Sequence, residues 1–173
     1  PAPSRRWCTI AAVAAIVHQR REGAGVLLIR RADREGDPWS GHMGFPGGHH
    51  EPDDASLRHT ALRETYEELG VVLSDTHWVG RLDDVPTHRS GMVVRPFVFQ
   101  VDEPPVVRPN GEVAEVLWAS LDGLAAGRHD TEYPFDVRGT LHQFPAYDVE
   151  GRIVWGLTYR MLRVLLDLWQ PTP

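Results

Sequence analysis

Arg63-Glu64-Thr65-Tyr66-Glu67-Glu68-Leu69-Gly70 is the stretch that decides how the rest of the chain is read. An α-helix turns about 100° per residue. On such a helix Glu64 and Glu68 stand about 40° apart, one turn above the other, and Glu67 lies about 60° to the other side of Glu64. This predicts three carboxylates on one narrow face, opposite an apolar stripe of Leu57, Ala61, Thr65 and Leu69. Like charges at this spacing repel. Arg63, four residues before Glu67, can pair with it and leave Glu64 and Glu68 free. Free carboxylates suit a hard divalent cation: Mg²⁺ takes oxygen ligands, keeps several waters and binds substrate phosphates. The competing reading is a solvated acidic face, since short motifs arise by chance.

Working outward, the helix is predicted from Asp54 to Leu69, with Asp54 as N-cap or first-turn acid and Gly70 as terminator. Upstream, Gly41 to Gly48 reads as a Gly-Pro-rich turn that ends in Phe45-Pro46-Gly47-Gly48. Glycines there let the backbone approach a ligand closely. A Gly48 carbonyl freed from regular structure is a further candidate metal ligand, and an ordinary tight turn is the alternative.

Before the turn, Cys8 to His18 and Val26 to Arg31 read as strands, separated by a charged turn from Arg20 to Gly25 and followed by a polar loop from Ala32 to Ser40. After the helix, strands are predicted at Trp78 to Asp83, Val93 to Val101 and Val113 to Ala119. A short helix from Leu121 to Ala126 is closed by Gly127, Leu141 to Tyr147 and Arg152 to Trp155 are extended, and an amphipathic helix runs from Leu157 to Trp169. Strands interrupted by two long helices predict an α/β fold with a mixed sheet covered by helices on both faces.

Composition narrows the class. A chain of 173 residues fits one domain, taken as 1–173. Apolar residues at 42% exclude disorder as the default. A net charge of −6 argues against nucleic acid as a partner. It does not argue against an anionic small molecule, because bound metal or local cations can reverse the field at one site. Cys8 is the one cysteine, so neither an internal disulfide nor a cysteine zinc site can form, which is compatible with a cytoplasmic location. Arg5 and Arg6 before the apolar run Trp7 to Val17 superficially resemble a leader, but the run reads better as a buried first strand. No stretch is long enough to span a bilayer, so no membrane partner is expected.

Gly47-Gly48, Glu51, Asp54, Arg63-Glu64, Glu67-Glu68 and Gly70-Val71 together resemble the Nudix box. From Arg63 onward the match is complete except for Thr65 at an apolar position. Before it, Asp54 replaces the usual Glu, and eight residues rather than the usual seven separate it from Arg63. A longer box with Asp resembles the coenzyme A diphosphatase branch of that superfamily. Phe45-Pro46-Gly47-Gly48, Asp54-Ala55-Ser56 and Ala61-Leu62-Arg63-Glu64 look like that branch, as does Ile153-Val154-Trp155-Gly156-Leu157-Thr158. The branch's upstream signature is matched in part by Leu27-Leu28-Ile29-Arg30-Arg31-Ala32 and Gly41; Ile29 replaces a Thr, and Asp37 stands where a second Arg is expected. The resemblance spans roughly Val26 to Leu166.

The resemblance implies a mixed sheet sandwiched between helices, with the box as a loop-helix-loop. It implies a Mg²⁺- or Mn²⁺-dependent hydrolase that cleaves a diphosphate linkage with metal-activated water. Coenzyme A or acyl-coenzyme A is the first substrate. A sugar nucleotide, a dinucleotide or a damaged triphosphate is the alternative, and a non-catalytic ligand sensor is the rival of another class. Glu64 and Glu68 are the first metal ligands, with Glu67 close by and Gly48 as a further candidate. Arg63 and Asp54 are supports of the box. The general base is a box Glu, Glu64 or Glu67, or an acid from a later loop: Glu112 first, then Glu115. Arg31, Phe45 and Arg95 are candidate substrate contacts, with Arg89 next. His42, His49 and His50 surround the glycine turn and are read as loop histidines rather than zinc ligands. A small nucleotide-type substrate is the expected partner; a homodimer is compatible with the sequence but not fixed by it.

Overall fold

Strand β1, Thr9–Arg20, is the axis of the molecule. In the computed structural model, residues 9–88 and 91–170 are described. Alternate β1 side chains enter two different cores. Ala11, Val13, Ala15 and Val17 join one cluster, and Ala12, Ala14 and Ile16 join the other. A strand buried on both faces is apolar throughout, which is why this segment carries no polar alternation.

The other elements follow from that axis. Strand β2, Gly23–Arg31, pairs antiparallel with β1. Two short strands, β3 at Met43–Gly44 and β4 at Gly47–His49, pair with β2 and β1 respectively. Helix α1, Leu57–Leu69, follows. Strands β5, Trp78–Arg81, and β6, Val85–Pro86, both pair with β7, Met92–Val101. Strand β7 runs parallel to β1, in register from Thr9 opposite Met92 to His18 opposite Val101. Strand β8, Val113–Ser120, closes the sheet on β2, and the short helix α2, Leu121–Ala125, comes next. The eight-stranded sheet is therefore mixed. Strands β9, Asp130–Val137, β10, Thr140–Val149, and β11, Arg152–Trp155, form a second, antiparallel sheet that leads into helix α3, Gly156–Leu168.

The predicted sandwich is present. Helix α1 covers one face through Ala61 and Leu69, which pack with Ile16, Phe97 and Phe99. Helix α3 covers the other through Met161, Leu162, Leu165 and Leu166, with Tyr147 and Val154 of the small sheet in the same cluster. No helix among the described residues is long and apolar enough to cross a membrane.

Several expectations are corrected. Helix α1 starts at Leu57, not Asp54; its N-cap is Ser56, whose side chain accepts from the His59 N–H. A hydroxyl adjacent to the first turn serves that role better than a carboxylate engaged elsewhere. Gly70 closes the helix as expected, at φ 65°, donating to the Tyr66 carbonyl. The turn after β1 is shorter than Arg20 to Gly25, because Gly23, Ala24 and Gly25 already pair with β1. Strand β9 was not foreseen. Cys8 lies outside the described residues, as do Arg89 and the leader-like Arg5, Arg6 and Trp7.

One long-range contact ties α3 to the strand before the glycine turn. The buried Thr158 hydroxyl donates to the Met43 carbonyl at 2.8 Å. Replacing Thr158 by Val removes the donor and leaves a buried carbonyl without it. Urea unfolding should show a loss of about 1–3 kcal/mol; an unchanged midpoint would mean the contact contributes nothing.

Candidate active site

Asp54 is the anchor of the site. It is 8% exposed and lies in the loop before α1. Arg63 grips it with one edge of the guanidinium, Nε to Oδ1 at 2.8 Å and Nη2 to Oδ2 at 3.0 Å. The Glu51 N–H and the Thr60 hydroxyl donate to Oδ2 at 3.0 and 2.8 Å. These donors, Arg63 above all, hold the Asp54 carboxyl well below the usual carboxylate range against the opposing effect of burial. Asp54 is therefore neither the N-cap nor a first-turn acid, but a loop carboxylate reached from the helix.

Arg63 also spans the rest of the box. Its Nη1 donates to Glu64 and to Glu67, both at 3.1 Å, and its Nη2 donates to the His49 carbonyl at 3.1 Å. The expected Arg63–Glu67 pair is thus present. The three box glutamates do not share one exposed face. Glu67 is exposed, Glu64 is intermediate and Glu68 is 2% exposed. The reason is rotation: seven residues after Ala61, Glu68 comes round to within about 20° of the buried line.

Burial pushes the Glu68 carboxyl up to about 8; nearby Glu64 and Glu112 add to the rise, while the Gly47 N–H and Arg31 oppose it. The Gly47 N–H donates to Glu68 Oε2 at 2.9 Å. Glu64 is also raised, first by burial, and Arg63 opposes the shift. Gly48 sits in β4 opposite Ala12, so its backbone belongs to a ladder and not to a released turn. A paired carbonyl still keeps a second lone pair. A side chain at Gly48 would collide with the Glu64 carboxylate, and one at Gly47 with the β1 backbone. The two glycines are what allow β4 to lie between β1 and the acids.

The acids open onto a cleft of about 460 Å³. Glu51, Glu64, Glu68 and Glu112 line it, together with Arg31, His42, Phe45, Gly48, His49 and Arg160. Val13, Met43, Met92, Val94, Leu157 and Met161 give it an apolar wall. Among the described residues, no three His, Cys, Asp or Glu side chains are set closely enough to hold a metal alone. The donor set is nevertheless hard oxygen: Glu68 has no cation within ion-pair distance among the described ion pairs, and Glu64 shares one. That fits a divalent cation that takes few protein ligands and completes its shell with water and phosphate.

The other candidates divide. Glu112 lines the cleft and lies 3.7 Å from Arg34, while Glu115 is outside it, bound by Arg30 at 3.0 Å and Arg152 at 2.8 Å. Arg31 lines the cleft but also holds Asp37 at 3.1 Å. Arg95 does not line it and is taken up by Asp84 at 2.6 and 2.9 Å. Arg89 lies outside the described residues. His42 and His49 face the cleft; His50 instead bonds Thr60 at 2.9 Å. Sequence reasoning did not single out Arg160 or His88, which line the same cleft on α3 and in the loop before β7.

Comparison with known proteins agrees with this geometry. Residues 9–139 match the model of the NUDIX domain. The chain is 33% identical over 142 residues to an uncharacterized Nudix hydrolase, NudL, of Yersinia enterocolitica, covering 81% of this chain and 71% of that protein. It is 39% identical over 153 residues to an uncharacterized protein of Schizosaccharomyces pombe, covering 82% of this chain but 46% of the relative, so it spans about half of that protein's length. A solved bifunctional NMN adenylyltransferase/ADP ribose pyrophosphatase from Francisella tularensis, complexed with AMP and a manganese ion, superposes with a TM-score of 0.62 over 92% of this chain and 41% of that one, at 16% identity.

The Arg63–Asp54 pair sets a pH dependence. A depressed folded pKa means that Asp54 stabilises in full above its unfolded value, about 4, and the contribution fades as pH falls through the folded value. Asp54→Asn should cost about 3 kcal/mol at neutral pH. The gap from wild type should narrow below about pH 4. Denaturant titrations at neutral and acid pH measure it; a gap that stays constant contradicts the assignment.

Proposed function

The chain belongs to the Nudix hydrolase family, and from that premise we propose that it hydrolyses the diphosphate linkage of coenzyme A or an acyl-coenzyme A. One observation carries the choice of substrate. The box carboxylates share their cleft with an apolar wall of Val13, Met43, Met92, Val94, Leu157 and Met161. A diphosphate joined to a long uncharged arm needs both surfaces side by side. The longer, Asp54-containing first half of the box supports the same branch.

Glu68 and Glu64 would hold the divalent cation, with Glu67 and the Gly48 carbonyl as the next donors. When bound, Mg²⁺ or Mn²⁺ supplies charge neutralisation at the phosphate oxygens and a more acidic water. The remaining roles belong to the chain. Arg63 fixes the carboxylates relative to the glycine strand, through the contacts to Asp54, Glu64, Glu67 and His49. Glu112, on the loop before β8, is the first candidate outside the box for accepting a proton from water, and Glu64 and Glu67 are the candidates within it. Arg31 and Phe45 face the cleft where substrate would lie. Arg95, bound to Asp84, is the weakest of the proposed substrate contacts.

A second reading, another nucleotide as substrate, is favoured by Asp37. It stands where the coenzyme A branch carries a second Arg, and it draws Arg31 into an ion pair. A Mg²⁺ assay over coenzyme A, a sugar nucleotide, a dinucleotide and a triphosphate separates the two. Coenzyme A should turn over; silence on it alongside activity on another compound would sink the first reading.

Glu68→Gln should abolish turnover and also reveal the cost of the native residue. A folded pKa raised to about 8 means that metal-free wild type loses stability as pH rises from about 4 through about 8. The variant should therefore melt higher than wild type at about pH 9 without metal, and level with it near pH 4. Full activity in the variant would refute the metal assignment.

A further inference from the structure

Arg160 lies on α3, just past the Gly156 that begins the helix, and lines the cleft. Its Nε and Nη2 are closed off from solvent, and neither has a hydrogen-bond acceptor among the described residues. Those two nitrogens form the edge with which a guanidinium grips a two-oxygen anion. In Arg63 the same edge holds Asp54 at 2.8 and 3.0 Å, and in Arg95 it holds Asp84 at 2.6 and 2.9 Å. In Arg160 that edge is empty. Buried N–H groups without an acceptor cost stability, so the fold itself gains nothing from that edge.

Burial lowers the Arg160 pKa, and no carboxylate is among the causes of that shift. Arg31, the other guanidinium of the cleft, differs in part: its Nη2 pairs with Asp37 and it bears on Glu68, and only its Nε is buried without an acceptor among the described residues. The cleft thus has acids suited to a metal-bridged diphosphate and a guanidinium whose two-tooth edge lacks an acceptor and meets a ligand only when the side chain turns into the cleft.

We propose that Arg160 is a second anion site, gripping a phosphomonoester of the substrate that is not itself hydrolysed. This rests on the coenzyme A reading above. In that molecule the diphosphate belongs beside the box carboxylates, and the remaining anionic group is the phosphomonoester on the ribose. The amides of the uncharged arm offer single acceptors, which a planar two-donor edge matches less well. Arg160 then selects for the phosphorylated ribose.

The test compares coenzyme A with its 3′-dephospho form, in wild type, Arg160→Met and Arg160→Lys. Arg160→Met should lower kcat/KM for coenzyme A about ten- to hundredfold more than for the dephospho form, mainly through KM. Arg160→Lys should lie between, because it keeps the charge but not the fork. Ligand-free Arg160→Met should melt no lower than wild type, since it removes buried N–H groups without an acceptor. An equal loss on both compounds, no loss, or a lowered melting temperature with equal loss overturns the Arg160 assignment and leaves the coenzyme A reading standing. Wild type that hydrolyses neither compound but cleaves another nucleotide overturns the coenzyme A reading, and this one with it.

Discussion

The grip of Arg63 on Asp54 is the constraint on which the site depends. One planar guanidinium joins the loop before α1, the glycine strand and two helix carboxylates, through Asp54, the His49 carbonyl, Glu64 and Glu67. A lysine could supply the charge but not this geometry, because an ammonium has no fixed fork. The carboxylate it grips is buried and itself receives the Glu51 N–H and the Thr60 hydroxyl. The pair therefore sets the angle between loop and helix as well as offsetting repulsion.

The three box glutamates are consequently unequal. Glu67 is exposed and neutralised by Arg63, Glu64 shares the same cation, and Glu68 is buried and accepts from the Gly47 N–H. Burial makes ionisation harder for Glu64 and for Glu68. Burial of Glu68 works against the stability of the metal-free fold, which is the pattern expected where stability yields to function. Arg160 shows the same conflict with the opposite sign of charge. A buried carboxyl without an ion-pair partner and a guanidinium edge without an acceptor, both among the described residues, bracket the chemistry that a ligand must bring.

Local periodicity made much of this legible. The apolar run of β1, the stripe of α1 and the Gly70 cap could all be read from spacing. What failed was tertiary. A stripe drawn at four-residue steps drifts by about 40° each time, and Glu68 falls inside the arc it sweeps. Asp54 looked like a cap because nothing local reveals that Arg63 will reach back to it. Strand β9 carries Pro134 at the edge of a small sheet and is mostly exposed, with only Thr131 and Tyr133 half-buried, so its apolar signal is weak. Arg95 looked like a substrate contact until Asp84, eleven residues earlier, was found to occupy it. Arg160 is one more arginine on an amphipathic helix, and only the missing acceptor distinguishes it.

The small sheet explains how a shared box can serve a particular substrate. The family match ends at residue 139, yet Trp155, Gly156, Leu157, Thr158, Arg160 and Met161 complete the cleft. Trp155 stacks on Tyr133 at 4.6 Å, lies 4.8 Å from Phe135 and 6.0 Å from Phe144, and meets His42 of the loop before β3 at 5.7 Å. Gly156 turns the chain with φ 63° from that strand into α3. The aromatic cluster thus fixes where α3 begins, and α3 fixes where Arg160, Leu157 and Met161 stand. Carboxylates on α1 can stay the same while the α3 side of the cleft is altered through β9 to β11, because α1 packs on β1, β4 and β7 whereas α3 packs on β10 and β11. The box acids and the α3 side of the cleft thus stand on separate parts of one fold.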